Sequence, residues 1–300
     1  MTAPLALAGI DPADVAFQEQ LTDGYYNTLF RLEMVDGERQ VLKVEPSPGE
    51  PRLDYEIALL ATEEMFLRIA ETGGVPVPRV IRGGEGYLLM EEVPGQTWHS
   101  LRAELGAADR DRLRAELGRV VADLHRLTGR RFGYPQRGLA NTWREAFLGM
   151  VDAVLADAAR FAVQLPEIRS RVAAVAPVLD DVVTPALVHF DLWPGNVMVD
   201  APRGTMQISG LIDGERSFWG DPLADMASLA LFGDIEQDEV FLNGYRQAGG
   251  VLVFDDAIRT RIALYQVYLY AIMLVEAVPR KRPAAAPTRE ALDRALAALA

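Results

Sequence analysis

Between Leu187 and Val199 the chain reads Leu-Val-His-Phe-Asp-Leu-Trp-Pro-Gly-Asn-Val-Met-Val, and a further acidic group follows at Asp213 in Leu-Ile-Asp-Gly-Glu. Transfer of a phosphoryl group to a hydroxyl asks little covalent chemistry of a protein. It needs one carboxylate to orient the hydroxyl and accept its proton, and oxygen ligands that hold Mg²⁺ against the phosphates. Asp191 suits the first task and Asn196 the second. A lone Asp after a strand ordinarily caps a turn, and a lone His is ordinarily a satisfied structural residue. Asp191, Asn196 and Asp213 in this order, on a strand, a loop and a hairpin, are not explained as caps. His189 is read as structural, orienting the loop through hydrogen bonds.

These groups work only if the elements around them bring them together. Residues 196–200 and 206–213 read as two strands of a hairpin joined by Ala201-Pro202-Arg203-Gly204. Such a pair returns its far end to its beginning, so Asp213 approaches Asn196 and makes a two-oxygen clamp for a hard cation. Upstream, residues 24–44 form two β-rich runs around Asp36-Gly37, and a third strand begins at Gly86. Lys43 sits in the second run, opposite in facing to Leu42 and Val44. Only two of the thirty basic residues are lysines, Lys43 and Lys281, so a lysine kept in mid-strand invites a chemical reason. Asp54 to Glu71 has the spacing of an amphipathic helix and offers Glu56, Glu63 and Glu64 as partners for Lys43, with Glu63 favoured because Glu56 lies near the helix start. After Pro94-Gly95 helices dominate, expected over 108–127, 143–161, 168–179, 222–232, 238–248 and 257–278, with a linker at 280–287 and a short Ala-rich terminal helix. The expected architecture is α+β: a nucleotide lobe over residues 1–93, a catalytic and acceptor lobe over 94–300, and a hinge at Glu91 to Pro94.

Composition narrows the partners. A formal charge of −13 argues against nucleic acid or an anionic membrane surface, both of which need a cationic face. The absence of cysteine excludes disulfides and thiolate metal sites and fits a reducing cytoplasm. Met1 to Ile10 lacks the basic start of a signal peptide, and the longest apolar stretch, Ala263 to Val278, is read as too short to span a membrane.

With these residues in view, the chain resembles the aminoglycoside phosphotransferase and fructosamine kinase superfamily, which includes choline and homoserine kinases. The resemblance runs through Gly-Tyr-Tyr-Asn-Thr from Gly24, Val-Leu-Lys-Val from Val41, Val-Pro-Val-Pro-Arg-Val from Val75, Leu-Leu-Met-Glu-Glu-Val-Pro-Gly from Leu88, the loop from His189, and Ile-Asp-Gly-Glu-Arg-Ser-Phe-Trp-Gly-Asp-Pro-Leu-Ala-Asp-Met-Ala from Ile212. The His189 loop also matches the His-x-Asp-Leu-x-x-x-Asn loop of protein kinases. The resemblance implies a protein-kinase-like fold of two lobes, with a small antiparallel sheet in the first and helices in the second. It implies Asp191 as base, Asn196 and Asp213 as Mg²⁺ ligands, and Lys43, fixed by Glu63, on the phosphates of ATP. It further implies Asn27 and Thr28 in the phosphate-covering loop, backbone groups from Glu91 to Val93 on adenine, and a structural role for Asp221 and Asp225. Phe190 stands where a small residue, commonly glycine, is usual, Gly214-Glu215 replaces the usual Phe-Gly, and Trp193-Pro194 is closer to the fructosamine kinase style of loop.

The expected activity is therefore ATP-dependent phosphorylation of a small polar hydroxyl acceptor. Asp234, Glu236, Asp238 and Glu239 offer an acidic face to an amine-rich acceptor, which tilts the expectation slightly toward aminoglycoside-type or other antibiotics. Metabolic kinases acting on a sugar amine, choline or homoserine, and a catalytically silent nucleotide-binding module, are the competing readings. A metal-dependent hydrolase using Asp191, Asp213, Asp221 and Asp225 is a further one. Oligomeric state and the choice between ATP and GTP are not legible.

Overall fold

A computed structural model describes residues 3–21, 26–47, 49–283 and 286–299. After a short helix α1 (Ala3–Leu7), the strands β1 (Val15–Leu21), β2 (Thr28–Met34), β3 (Arg39–Val44), β4 (Val80–Gly84) and β5 (Tyr87–Glu91) form one antiparallel sheet in the order β1-β2-β3-β5-β4. Gly37, at φ +89°, and the Asp36 side chain, which accepts from Glu38 N–H at 3.0 Å, make the tight β2–β3 turn. Strand alternation buries Leu32, Leu42 and Leu89 on one face, where Leu5, Ala8 and Ile10 of the N-terminal segment cover them. The other face receives helix α2 (Leu59–Thr72). Two strands of this sheet escape the reading from sequence. β1 is an edge strand with mostly exposed side chains, and β4 carries Gly83-Gly84, which read locally as a turn.

The expected helix from Asp54 also begins later than its periodicity suggests. Asp54 N–H donates to Asp157 Oδ2 at 2.6 Å, Leu53 N–H to Glu56 Oε2 at 2.6 Å, and Tyr55 O accepts from Gln136. These bonds replace the helical ladder, and only after Ala58, held at φ +52°, does the α-helix start. Residues 50–57 are instead a strap laid across the helical lobe.

After β5, β6 (Gln96–Thr97) and α3 (Trp98–Leu101) lead into α4 (Ala107–His125), α5 (Trp143–Arg160) and α6 (Arg169–Val175). Next come β7 (Ala186–Val188), the hairpin β8 (Val197–Asp200) and β9 (Gln207–Leu211), and β10 (Phe218–Gly220). The chain closes with α7 (Ala224–Leu229), α8 (Glu239–Gln247), α9 (Asp256–Glu276) and α10 (Ala286–Ala297). β6 docks on β8, and only glycine fits the approach: Gly95 has φ +99°, and a Cβ there would sit 2.0 Å from the Val199 carbonyl oxygen. Helix α9 runs through the core. By length and composition it could cross a membrane, which corrects the expectation from its apolar run, but 67% of its most apolar window is buried inside the fold. Trp143 Nε1 donates to Tyr265 OH at 2.8 Å, and Tyr265 OH donates to Asp221 Oδ2 at 2.6 Å, which ties α5, α9 and the segment after β10 into one aromatic centre. The result is a sheet lobe packed on a helical lobe, a protein-kinase-like α+β fold.

Candidate active site

The residues singled out from sequence converge where the two lobes meet. Lys43, next to the end of strand β3, donates to both Glu63 oxygens at 2.7 and 2.8 Å and to Asp213 Oδ1 at 2.6 Å. Of the three glutamates considered, Glu63 alone makes this pair; Glu56 binds Arg280 and Glu64 binds Arg68. The Lys43 and Glu63 side chains are buried, while Asp213 is 38% exposed and faces the cleft. Burial by itself would lower the Lys43 pKa, but Asp213 and Glu63 carry it above the ordinary lysine range. Burial pushes Glu63 up, and Lys43 opposes it. On Asp213 burial pushes the carboxyl up, but the charge and hydrogen bond of Lys43, joined by His189 and Arg216, hold it below its usual value.

A third carboxylate joins this group. Glu215, two residues after Asp213 on a single 3₁₀ turn, brings an oxygen within 4.8 Å of oxygens of Glu63 and Asp213. Burial, then Asp213, pushes its carboxyl well above the ordinary range. Asn27 Nδ2 donates to Glu215 Oε2 at 2.7 Å, so this buried side chain points into the carboxylate group and not outward. Thr28 opens β2 opposite Val44. The expected phosphate loop also includes Asp23, Gly24 and Tyr25, which lie outside the described residues. Sequence reading met Glu215 only as a departure from Phe-Gly. The signal that could have found it is the Asp-x-Glu spacing on a tight turn.

Across the cleft floor, Asn196 Nδ2 donates to Asp191 O at 2.9 Å and to Asp191 Oδ2 at 3.1 Å, which leaves the Asn196 amide oxygen as the atom that could hold a cation. Ile212 N–H donates to Asn196 O at 3.0 Å, so the hairpin does bring the Asp213 strand back beside Asn196. His189 fastens the two. A backbone N–H can only donate, so His189 Nδ1 accepts from Asp191 N–H at 3.2 Å, and Nε2–H then donates to Ile212 O at 3.0 Å. Burial raises the Asp191 carboxyl pKa, opposed first by the Arg216 guanidinium.

Phe190, buried and at φ +63°, explains why glycine is usual at its place: the backbone there is left-handed. Its N–H donates to Asp225 Oδ1 at 2.6 Å, and its ring packs on Phe218 and Tyr268 with centroids 5.1 and 5.6 Å apart. Asp225 also accepts from His189 N–H at 3.2 Å and contacts His125 Nε2 at 3.0 Å. Asp221 is held by Tyr265, Arg261 at 2.9 Å and Leu223 N–H at 3.0 Å. Both carboxylates are thus engaged in holding the loop and α9, and a hydrolase that recruits them to the metal finds no support.

In the stretch expected as the hinge, Glu91 and Glu92 N–H donate to Arg79 O and Arg39 O at 2.9 and 3.0 Å, and the Glu91 side chain pairs with Arg79. The Val93 side chain lies against Gly210.

A clustered lysine, three carboxylates and a fourth carboxylate tied to an amide suit phosphoryl transfer, and the comparisons decide the class. The model of the phosphotransferase enzyme family matches residues 18–265. The chain belongs to this family. A probable ketoamine kinase of Enterococcus faecium is 24% identical over 261 residues, covering 82% of this chain and 84% of that one. The crystal structure of a putative fructosamine-3-kinase from Thermobifida fusca superposes with a TM-score of 0.73 at 23% identity, covering 99% and 98% of the two chains. A macrolide 2'-phosphotransferase from Brachybacterium faecium superposes with a TM-score of 0.62 at 20% identity, over 99% and 98%. As a member of this phosphotransferase family the chain is a small-molecule kinase, an enzyme that acts on a hydroxyl acceptor.

The donor set also fits a hard divalent cation. Asp213 and Glu215 oxygens lie together with those of Glu63, which Lys43 engages, and the buried Asn27 Oδ1 beside them has no hydrogen-bond partner among the described residues.

Proposed function

We propose that this phosphotransferase moves the γ-phosphoryl of ATP to a sugar hydroxyl of a ketosamine, with Asp191 as base. The observation that carries the catalytic part is the pairing of Asn196 Nδ2 with Asp191 Oδ2 at 3.1 Å, because it aims one carboxylate oxygen at the metal-side loop and leaves the other for the acceptor. Mg²⁺, held by Asp213 and the Asn196 amide oxygen, supplies charge neutralisation at the phosphates when bound. Lys43, fixed by Glu63, places its ammonium on the α- and β-phosphates. Because Glu91 and Glu92 N–H are engaged by Arg79 and Arg39, the hinge offers adenine the Val93 amide. Asn27 acts through Glu215, and Thr28 lies at the phosphate end of β2. The lobes divide at this hinge, 1–93 and 94–300, and ATP as donor places the reaction in the cytoplasm.

Two observations favour a ketosamine over an antibiotic. The relative at 24% identity bears the name of a ketoamine kinase, and the Trp193-Pro194 loop has that style. The acidic run proposed for amines is engaged elsewhere: Asp234 caps its own turn, Glu236 holds Arg259 through both oxygens, and Asp238 caps α8 and binds Arg114. The macrolide and aminoglycoside phosphotransferases that share the fold keep antibiotic acceptors as the second reading.

The test is release of ADP from ATP and Mg²⁺ over fructosyl-amino acids, aminoglycosides, macrolides, choline and homoserine, with Asp191→Asn as control. Ketosamine-stimulated turnover lost in Asp191→Asn is the expected result. Turnover with an antibiotic alone would replace the ketosamine reading, and full turnover in Asp191→Asn would remove Asp191 as base. ADP binding without turnover on any acceptor would favour a silent module.

A further inference from the structure

Arg216 ends the 3₁₀ turn that follows Asp213, and its Nε lies 3.9 Å from Asp191 Oδ2. Its Nη2 donates to Glu276 Oε2 at 2.7 Å. All three side chains keep a minor share of open surface, 24% for Asp191, 14% for Arg216 and 19% for Glu276, so they line the same part of the cleft. Glu276 is the last residue of α9, where helix carbonyls already concentrate negative charge and a carboxylate is poorly placed electrostatically. What offsets that cost is a pair of arginines: Arg216, and Arg280 at 3.9 Å. Arg280 in turn donates to Glu56 and to Pro51 O of the strap, and its guanidinium lies 4.3 Å from the centre of the Tyr26 ring.

We propose that Glu276 is a positioning residue for phosphoryl transfer: its carboxylate holds the Arg216 guanidinium beside the base Asp191 and keeps it from closing on that carboxylate. This rests on the reading of Asp191 as base. A guanidinium on a flexible stem, facing Asp191, Glu215 and Tyr55 with no fixed partner, would form the two-pronged carboxylate pair that arginine favours. Such a pair with Asp191 would engage the oxygen that meets the acceptor hydroxyl. With Glu276 in place, Arg216 stays at 3.9 Å, and among the described residues Asp191 Oδ2 is shared between it and Asn196, leaving Oδ1 to the acceptor. The same carboxylate meets Arg280, so the setting of the base is linked to the strap that joins the lobes.

The experiment compares Glu276→Gln, Arg216→Met, the double variant and Asp191→Asn in the full chain, with rates counted per ADP-binding molecule. The substrate is the acceptor that turns over in the panel above, or water in slow ATP hydrolysis if none does. Glu276→Gln is expected to lower kcat by roughly 10- to 100-fold, the scale of a misplaced reacting group, with KM for ATP changed by less than about 2-fold. Because Glu276 acts through Arg216, the double variant should be no slower than Arg216→Met within about 2-fold. A kcat for Glu276→Gln within about 2-fold of the parent, or losses that multiply in the double variant, overturns the proposal. If Glu276→Gln does not fold, Glu276→Asp, which retains the charge but withdraws it from Arg216, is read against the same limits. Turnover surviving in Asp191→Asn would instead sink the assignment of the base, and is told apart from failure of the Glu276 proposal by that variant alone.

Discussion

Lys43 Nζ stands 2.6 Å from Asp213 Oδ1 while it donates to both oxygens of Glu63, so one buried ammonium holds two carboxylates that belong to different lobes. The ammonium occupies the place a divalent cation would otherwise have to neutralise. Replacing it by an apolar group leaves Glu63, Asp213 and Glu215 clustered with no cation in hydrogen-bond contact between them, and Arg216 only farther off. Lys43→Met is therefore expected to cost about 3–5 kcal/mol of stability, as does breaking a buried pair by removing one partner. Thermal melting should then recover more on adding MgCl₂ than it does in the parent protein. Equal shifts in both would show that the cation does not use this cluster.

Phe190 offers a test of backbone strain. Its left-handed φ of +63° costs a side-chain-bearing residue about 1–2 kcal/mol, while removing a buried aromatic ring costs about 3–5 kcal/mol. Phe190→Ala keeps the strain and loses the ring. Phe190→Gly loses the ring but relieves the strain, so in chemical denaturation it should be the more stable of the two by about 1 kcal/mol. The usual ranking, alanine above glycine, would contradict the left-handed backbone.

Asp225 secures the loop from below through His189 N–H, Phe190 N–H and His125. Asp225→Ala orphans two buried amide donors, each worth about 1–3 kcal/mol when unsatisfied. Urea denaturation should show a loss of roughly 2–6 kcal/mol. The remaining folded molecules should turn over more slowly because Asp191 is no longer held.

The acidic run at 234–239 makes the opposite kind of prediction. Since Asp234 and Glu236 serve a turn and Arg259, Asp234→Asn and Glu236→Gln should change acceptor KM by less than about 3-fold, within the range of an exposed ion pair. A large rise in KM for amine-bearing acceptors alone would return this face to the acceptor site.

Much of the candidate site was legible in the residue order because its parts are local. The Asp191-to-Asn196 loop, the hairpin that returns to Asp213, the Asp36-Gly37 turn and the periodicity of α4, α5 and α9 all depend on near neighbours. Turn chemistry and side-chain period therefore expose them. The position of Lys43 on its strand follows from the same alternation.

What only the tertiary structure decided are partnerships across long stretches of chain. The sequence favoured Glu63 among three glutamates; what settles it against Glu56 is that residues 50–57 are drawn off as a strap by Asp157 and Gln136, so that the helix starts at Leu59. Glu215 joins the carboxylate group because one 3₁₀ turn and Asn27 close on it from opposite lobes. Arg216 and Glu276, sixty residues apart in sequence, meet because α9 threads the core and ends beside the base. Periodicity specifies which face of an element is buried. It carries no information about which charge waits on the other side, and that choice is made when the lobes pack and each buried charge must find a partner.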